Sequence, residues 1–334
     1  MKLLAHSNVV HKLEKDKVSK RKIFKKIVIF LVALFLFGIV AQIITNFIDG
    51  ERLKSRFKYG RIDGKKIEYK FKSGSDYTVV FDGTLGNNMY EWDGICKTLE
   101  DKKTSTFIYN RRGYGFNDGG EVRTPEDQAK DLKLLLRKAG ASEPYVLVGE
   151  EYGSLVLTNF IKLYPKSVAG VVLVDPISED VIKTSEFKES IKSKYYRSKF
   201  EVIGTNFSLT SVLSKMGITI ENEVFKEHLG ENELSEFSSF ENKKNYKEAV
   251  SNELRNLYEG ASNSQENELL KGIPFYLITS NEKDPAIKLG EQAYTTIYKK
   301  ESSDSPVSLL DPDIIVNGVN SVMKDAKKLS NKKS

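Results

Sequence analysis

The stretch that most limits how this chain can fold runs from Tyr145 to Leu157, Tyr-Val-Leu-Val-Gly-Glu-Glu-Tyr-Gly-Ser-Leu-Val-Leu. A short apolar run ends at Gly149, Gly153 follows four residues later, and an apolar helical pattern begins at once. An apolar run of this length beside glycine fits a strand buried on both faces. Glycine on either side of a tight turn lets backbone segments approach where a Cβ would not fit. The frame is G-x-E-x-G, with Glu151 at the tip, where the nucleophile-elbow frame G-x-S-x-G carries a serine. The turn is familiar and its central side chain is not.

The rest of the chain alternates in the same way. Tyr59 to Tyr69 reads as a hairpin about Asp63-Gly64. Thr78–Phe81 and Thr106–Tyr109 read as short strands, with a helix over Trp92–Leu99 between them. Thr124-Pro125 opens a second helix, with Ala129, Leu132, Leu135 and Leu136 at helical spacing. A helix follows the elbow to Tyr164-Pro165, then strands over Gly170–Val174 and Ile273–Thr279. Strands alternating with helices imply an α/β fold whose mostly parallel sheet is covered on both faces, with function at the strands' carboxyl ends. Residues 177–270 interrupt this order with Lys, Glu, Asn and Ser and helical patches at Phe225–Leu229 and Glu248–Leu257, and they read as a helical lid. A surface insertion without a binding role is the alternative. The core then comprises residues 49–176 and 271–325, and residues 326–334 read as a basic, frayed tail.

Charge is uneven along the chain. Nine Lys/Arg against two acids precede Ile27, a surplus of seven in a chain of net charge +6, so the remainder is near −1. No basic face for nucleic acid is implied. Cys96 is the only cysteine, which excludes an intramolecular disulfide and any cysteine-based zinc pattern. No metal or cofactor is expected. Ile27 to Ile44 is uncharged; at 1.5 Å per residue it spans roughly 27 Å, and Phe47-Ile48 extends it. The run is longer than a signal peptide's apolar region and lacks an A-x-A cleavage site. A transmembrane helix over 27–48 is therefore expected, with a buried core helix as the alternative. The basic segment 1–26 then lies in the cytoplasm and the α/β body outside the cell membrane.

Five segments in order resemble the α/β-hydrolase family over roughly residues 60–325. Arg111-Arg112-Gly113-Tyr114-Gly115-Phe116-Asn117-Asp118 resembles the family's R-x-G-x-G-x-S-D loop, and Thr124–Leu132 its following helix. Tyr164–Pro176 is close to YPxxVxGLVLxDP. The elbow and Leu310-Asp311-Pro312-Asp313-Ile314-Ile315 complete the set. Anchor and domain together resemble small membrane-attached members from Gram-positive bacteria.

The resemblance implies positions for the chemistry. The nucleophile position holds Glu151. The histidine position falls on or beside Ser305, and the acid position on Asp284, which without a histidine reads as an exposed turn residue. His6, His11 and His228 are the only histidines, none near those positions. The oxyanion loop corresponds to Asp82-Gly83-Thr84, and the N–H groups of Thr84 and Tyr152 would form the hole. A carboxylate at Glu151 points toward those donors and is expected to occupy them.

Three functions follow. The first is a catalytically degenerate member acting as a binding or interaction module, for a small-molecule ligand or a membrane protein partner. The second is a hydrolase of a small ester, epoxide or related substrate with Glu151 as carboxylate nucleophile and Glu150 or Asp284 as a weak base. The third uses Ser154.

Overall fold

The computed structural model describes residues 20–53, 57–74, 77–206, 210, 213–214, 216–217, 219–220 and 222–333. Eight strands form one sheet in the order β1-β2-β4-β3-β5-β6-β7-β8. β1 (Lys58–Ile62) and β2 (Lys65–Lys72) are the expected hairpin, turned by Asp63 and Gly64 at φ 49° and 74°. Two successive positive φ values match a tight hairpin to strand twist, and Asp-Gly tolerates them. β2 pairs antiparallel with β4 (Ser105–Tyr109). All later pairings are parallel, through β3 (Thr78–Asp82), β5 (Tyr145–Glu150), β6 (Val168–Val174), β7 (Phe275–Thr279) and β8 (Thr295–Lys299).

Helices cover both faces. The long N-terminal helix α1 (Lys20–Leu53) precedes the sheet. α2 (Asp93–Asp101) packs on one face; α3 (Pro125–Ala139) and α4 (Tyr152–Leu163) pack on the other through Leu132, Leu136, Val156 and Phe160. Thr124 caps α3 in a reciprocal box with Asp127, and Gly140 ends it in the left-handed conformation.

Two strand and helix expectations change. β8 was unread because Thr295-Thr-Ile-Tyr-Lys299 is mostly exposed at the sheet edge and shows no apolar run. Residues 326–333 are not a frayed tail: they continue the last helix, Pro312–Lys333 (α11 below). Ile315, Val319, Val322 and Ala326 are buried at helical spacing, so the apolar stripe carries the helix past Lys324.

The insertion between β6 and β7 is helical, as expected: α5 (Glu179–Ile182), α6 (Ser185–Thr205), α7 (Glu223–Glu227), α8 (Glu231–Phe240) and α9 (Lys244–Glu259). α6 lies along α9, with Tyr195 stacked on Tyr258 at 4.7 Å and a buried ion pair between Glu201 and Lys247 at 2.9 Å. Between β8 and α11 lies the short helix α10 (Val307–Leu310).

The span expected over 27–48 falls within α1. Among the described residues no helix is long and apolar enough to cross a membrane. The stretch whose side chains are described without a break, 21–38, includes Arg21, Lys22, Lys25 and Lys26, and the side chains at 39, 42, 43 and 45–48 lie outside the description. His6 and His11 also lie outside it.

Candidate functional site

The elbow is built as its frame implies. β5 ends at Glu150, α4 starts at Tyr152, and Glu151 joins them at φ 44° and ψ −111°, a conformation L-residues rarely adopt. The close fit below it explains Gly153, where a Cβ would lie 2.1 Å from the Asp82 carbonyl oxygen. The Gly153 N–H donates to the Gly83 carbonyl at 3.1 Å, which fixes the elbow against the loop after β3.

Glu151 does not occupy an oxyanion hole. Its Oε1 accepts from the Ser305 hydroxyl, and Ser305 stands at the position where the family resemblance requires histidine. The expected hole is also partly filled from elsewhere. The Thr84 N–H donates to Glu91 Oε2 at 3.0 Å, and the Thr84 hydroxyl donates to Glu91 Oε1 at 2.6 Å. Nothing in the sequence marked Glu91, which reaches the loop from the turn before α2.

Asp284 and Glu150 are both engaged in hydrogen bonds within the fold. Asp284 is buried rather than an exposed turn residue: its carboxylate accepts from the Thr279 hydroxyl at 2.7 Å and the Ala286 N–H at 2.8 Å. Its acceptors are spent capping the turn after β7. Glu150 is sealed beneath the elbow, accepting from the N–H groups of Val307 at 2.5 Å and Ser308 at 3.2 Å. A carboxylate with both oxygens engaged and no exposed surface is poorly placed to activate water. Ser154 is equally unavailable, because its hydroxyl donates to the Glu151 carbonyl at 2.5 Å and accepts from the Ile177 N–H at 3.0 Å. His228, the only histidine among the described residues, is exposed on the lid, with Nδ1 2.8 Å from the Val224 carbonyl.

The electrostatics around the elbow are unusual. Burial pushes Glu91 up to about 7, and burial together with the Glu91 charge drives Glu150 well above the ordinary carboxylate range. Burial also raises Glu151, with Asp175 adding to it, while the Ser305 hydroxyl and the charges of Lys194 and Lys300 oppose it. Lys300, itself buried, pairs with Asp175 and donates to the Asp304 carbonyl at 2.8 Å. This contact holds the 300–305 loop so that Ser305 meets Glu151.

The remaining oxyanion-loop residue, Asp82, is tied up structurally. Its carboxylate accepts from the Tyr109 hydroxyl at 2.6 Å and pairs with the buried Arg111 guanidinium. Arg111 also donates to the carbonyls of Gly83 at 3.0 Å and Thr84 at 3.2 Å and to Glu253 of α9 at 2.7 Å. One cation therefore fastens the loop after β3 to the insertion. The Arg111-containing segment was visible in the sequence; its lid partner, 142 positions away, was not. Tyr152 completes the base of this network, its ring under Arg111 and its hydroxyl bonded to Gln128 at 3.0 Å and Asn256 at 2.9 Å.

Above the elbow lies a cavity of about 330 Å³. Glu151, Ser305 and Thr84 form its polar floor, while Ile191, Ile220, Val250 and Leu254 of the insertion supply apolar walls. The volume and lining are those of a small-molecule pocket. Residues 177–270 thus contribute its walls. Among the described residues no cluster of His, Cys, Asp and Glu has the arrangement of a metal site.

The sheet order, the strained elbow and the cavity between elbow and insertion together define a fold that the comparisons identify. The family model for the alpha/beta hydrolase fold matches residues 77–293, and the chain belongs to that family. In sequence it is 26% identical over 199 residues to the "Uncharacterized protein YqjL" of Bacillus subtilis (strain 168), covering 59% of this chain and 75% of that one. In structure it is similar to the epoxide hydrolase CorEH, with a TM-score of 0.63 at 14% identity, covering 80% of this chain and 98% of that one. It is likewise similar to the haloalkane dehalogenase DatA from Agrobacterium tumefaciens C58, with a TM-score of 0.59 at 16% identity over 81% and 97%. At these identities the structural likenesses speak for the fold alone.

Proposed function

We propose that this chain is a membrane-anchored α/β-hydrolase-fold protein that binds a small molecule or a protein partner and does not hydrolyse it. The observation that carries this reading is the Glu151–Ser305 hydrogen bond. The two positions that must supply a nucleophile and its base instead hold a carboxylate and a hydroxyl bonded to each other. Acyl transfer by a triad loses roughly 10⁴-fold or more when one member is removed, and the members act as a unit. The anchor reading is supported by the uncharged run Ile27–Ile44 and by exposed apolar side chains along α1, among them Ile27, Phe30, Leu34 and Phe37. A lone helix with apolar side chains exposed along its length needs a cover, and lipid provides one. The basic excess before Ile27 favours a cytoplasmic N-terminus and an extracytoplasmic domain.

A second reading rests on Glu151 opening onto the cavity. A carboxylate there has room to open an epoxide: its oxygen attacks a ring carbon, the ring C–O bond breaks, the alkoxide takes a proton from water, and water must then cleave the glutamyl ester. With a carboxylic ester, attack on the acyl carbon would expel the alcohol, protonated by water, and leave a mixed anhydride for water to cleave. The epoxide hydrolase and dehalogenase among the structural neighbours make it worth testing. The weakness is the second step, since Glu150 and Asp284 are both committed elsewhere. The test is hydrolysis of short-chain nitrophenyl esters and a simple epoxide by the full-length protein in detergent, beside Glu151→Ala. Both proteins are expected at buffer background. Turnover by the parent that Glu151→Ala abolishes, with a substrate-derived mass on the Glu151 peptide, would establish the second reading instead.

A further inference from the structure

The lid helix α6 has two faces with different partners. Tyr195, Ser198, Glu201 and Thr205 are buried, and Ile191 and Lys194 line the cavity. On the opposite face, Tyr196, Phe200 and Ile203 are 46%, 73% and 56% exposed. At 3.6 residues per turn, positions 196, 200 and 203 fall on one narrow stripe. Phe200 is the most exposed large apolar side chain outside α1 among the described residues. These three side chains stand together on one exposed face of the helix.

Charge indicates what covers it. α6 carries five cations (Lys188, Lys192, Lys194, Arg197 and Lys199) against Glu186, Glu189 and Glu201. Glu201 is buried against Lys247 and so offers little charge to the surface. Lys192 and Lys199 flank the stripe on the same side of the helix, Lys192 in contact with Glu189 and Lys199 over the Tyr195 ring at 4.4 Å. An apolar stripe bordered by lysines matches the two chemistries of an anionic membrane surface, apolar side chains toward the acyl boundary and ammonium groups toward the headgroups. The chain also keeps that partner close. Nine residues lie between Ile48 and Lys58, a reach over ten steps of at most about 35 Å, so an anchored domain stays within about one domain width of the bilayer.

We infer that the outer face of α6, through Tyr196, Phe200 and Ile203, docks on the anionic surface of the membrane that holds the chain. This inference rests on the anchor reading above. Its consequence is that the helix lining the cavity with Ile191 and Lys194 lies on the bilayer, so the pocket opens beside lipid.

The test uses full-length protein carrying Cys96→Ser and Phe200→Cys, labelled with an environment-sensitive nitrobenzoxadiazole dye. It is reconstituted into vesicles of phosphatidylcholine with or without about one-third phosphatidylglycerol. A parallel sample carries the dye at Leu134→Cys, an exposed position on α3. The dye at 200 is expected to be quenched by lipids with a shallow nitroxide and about threefold or more protected from iodide in the anionic vesicles. The dye at 134 stays accessible. Adding Lys192→Glu and Lys199→Glu is expected to abolish the protection. If the protein floats with vesicles but position 200 remains as accessible as 134, docking is wrong and the anchor stands. If it fails to float, the anchor reading falls and docking with it. Self-quenching at 200 that rises with protein density and ignores lipid charge would assign the stripe to a second copy and overturn the proposal.

Discussion

Glu151 combines two costs at one position. Its backbone is held at φ 44° and ψ −111°, and its carboxyl is buried with its pKa raised chiefly by that burial. Strained positive-φ positions cost about 1–3 kcal/mol for side chains other than glycine. The Ser305 hydroxyl returns only a hydrogen bond, worth roughly 1.5–3 kcal/mol to a charged acceptor. Glu151→Gly removes the strain and the buried carboxyl together and should stabilise the fold by at most about 1 kcal/mol, read as a higher urea midpoint with an unchanged slope. A lower midpoint would mean that the Ser305 contact outweighs the strain. The elbow's frame and its glycines were legible in the sequence because they are local. The pairing with Ser305 was not, because it joins positions 154 apart and depends on how Lys300 holds the second loop. For the same reason Thr84 was readable as an oxyanion-loop residue, whereas the carboxylate of Glu91 that takes its N–H was not.

At the level of elements, α9 is the piece that joins the insertion to the core. Glu253 accepts from Arg111 at 2.7 Å and 3.1 Å, from the Tyr114 hydroxyl at 2.5 Å and from Gln128 at 3.2 Å. Burial pushes both Glu253 and Asp82 up, and the Arg111 charge opposes the shift in each. Removing one partner from a buried ionic network leaves the others uncompensated, which costs about 3–5 kcal/mol. Glu253→Ala is expected to lose that amount in urea denaturation and to expose the insertion to proteolysis. Glu253→Gln, which retains an acceptor, should lose about half as much. If Glu253→Ala leaves lid proteolysis unchanged, the clamp is not what holds the lid. Helices in the insertion were visible from their apolar spacing, and so were the buried parallel strands. β8 was missed because an exposed edge strand needs no apolar run. The end of α11 was misread because Lys324, Lys327 and Lys328 mask a stripe that Val322, Met323 and Ala326 continue.

Taken as a whole, the molecule stores carboxylates in its interior whose protons are held more tightly folded than unfolded. Glu91 beneath the elbow and Glu68 beside Asn110 are each raised from 4.5 to about 7, in both cases chiefly by burial. Hydrogen bonds from Thr84 and Asn87 to Glu91, and from Asn110 and Phe116 to Glu68, oppose the shift without cancelling it. Between pH 4.5 and 7 the folded state therefore binds more protons at these sites than the unfolded chain does. Stability from them is complete below the unfolded value and is lost as pH rises through about 7. At 1.36 kcal/mol per pKa unit, each site contributes at most about 3 kcal/mol to the change. Glu143 and Glu282 act in the opposite sense, lowered first by hydrogen bonds from Lys133 and Lys299, but both lie at or near the surface and titrate at lower pH. The expected result is that urea denaturation gives a smaller unfolding free energy at pH 8 than at pH 5.5. Glu91→Gln keeps a side-chain oxygen to accept from Thr84 and removes the titration. It should flatten the profile in part, the other buried carboxylates keeping their share, and leave the protein more stable than the parent at pH 8. A parent whose stability rises from pH 5.5 to 8 would show that these carboxylates are charged in the folded state, with a cation or a water path to their oxygens that compensates their burial.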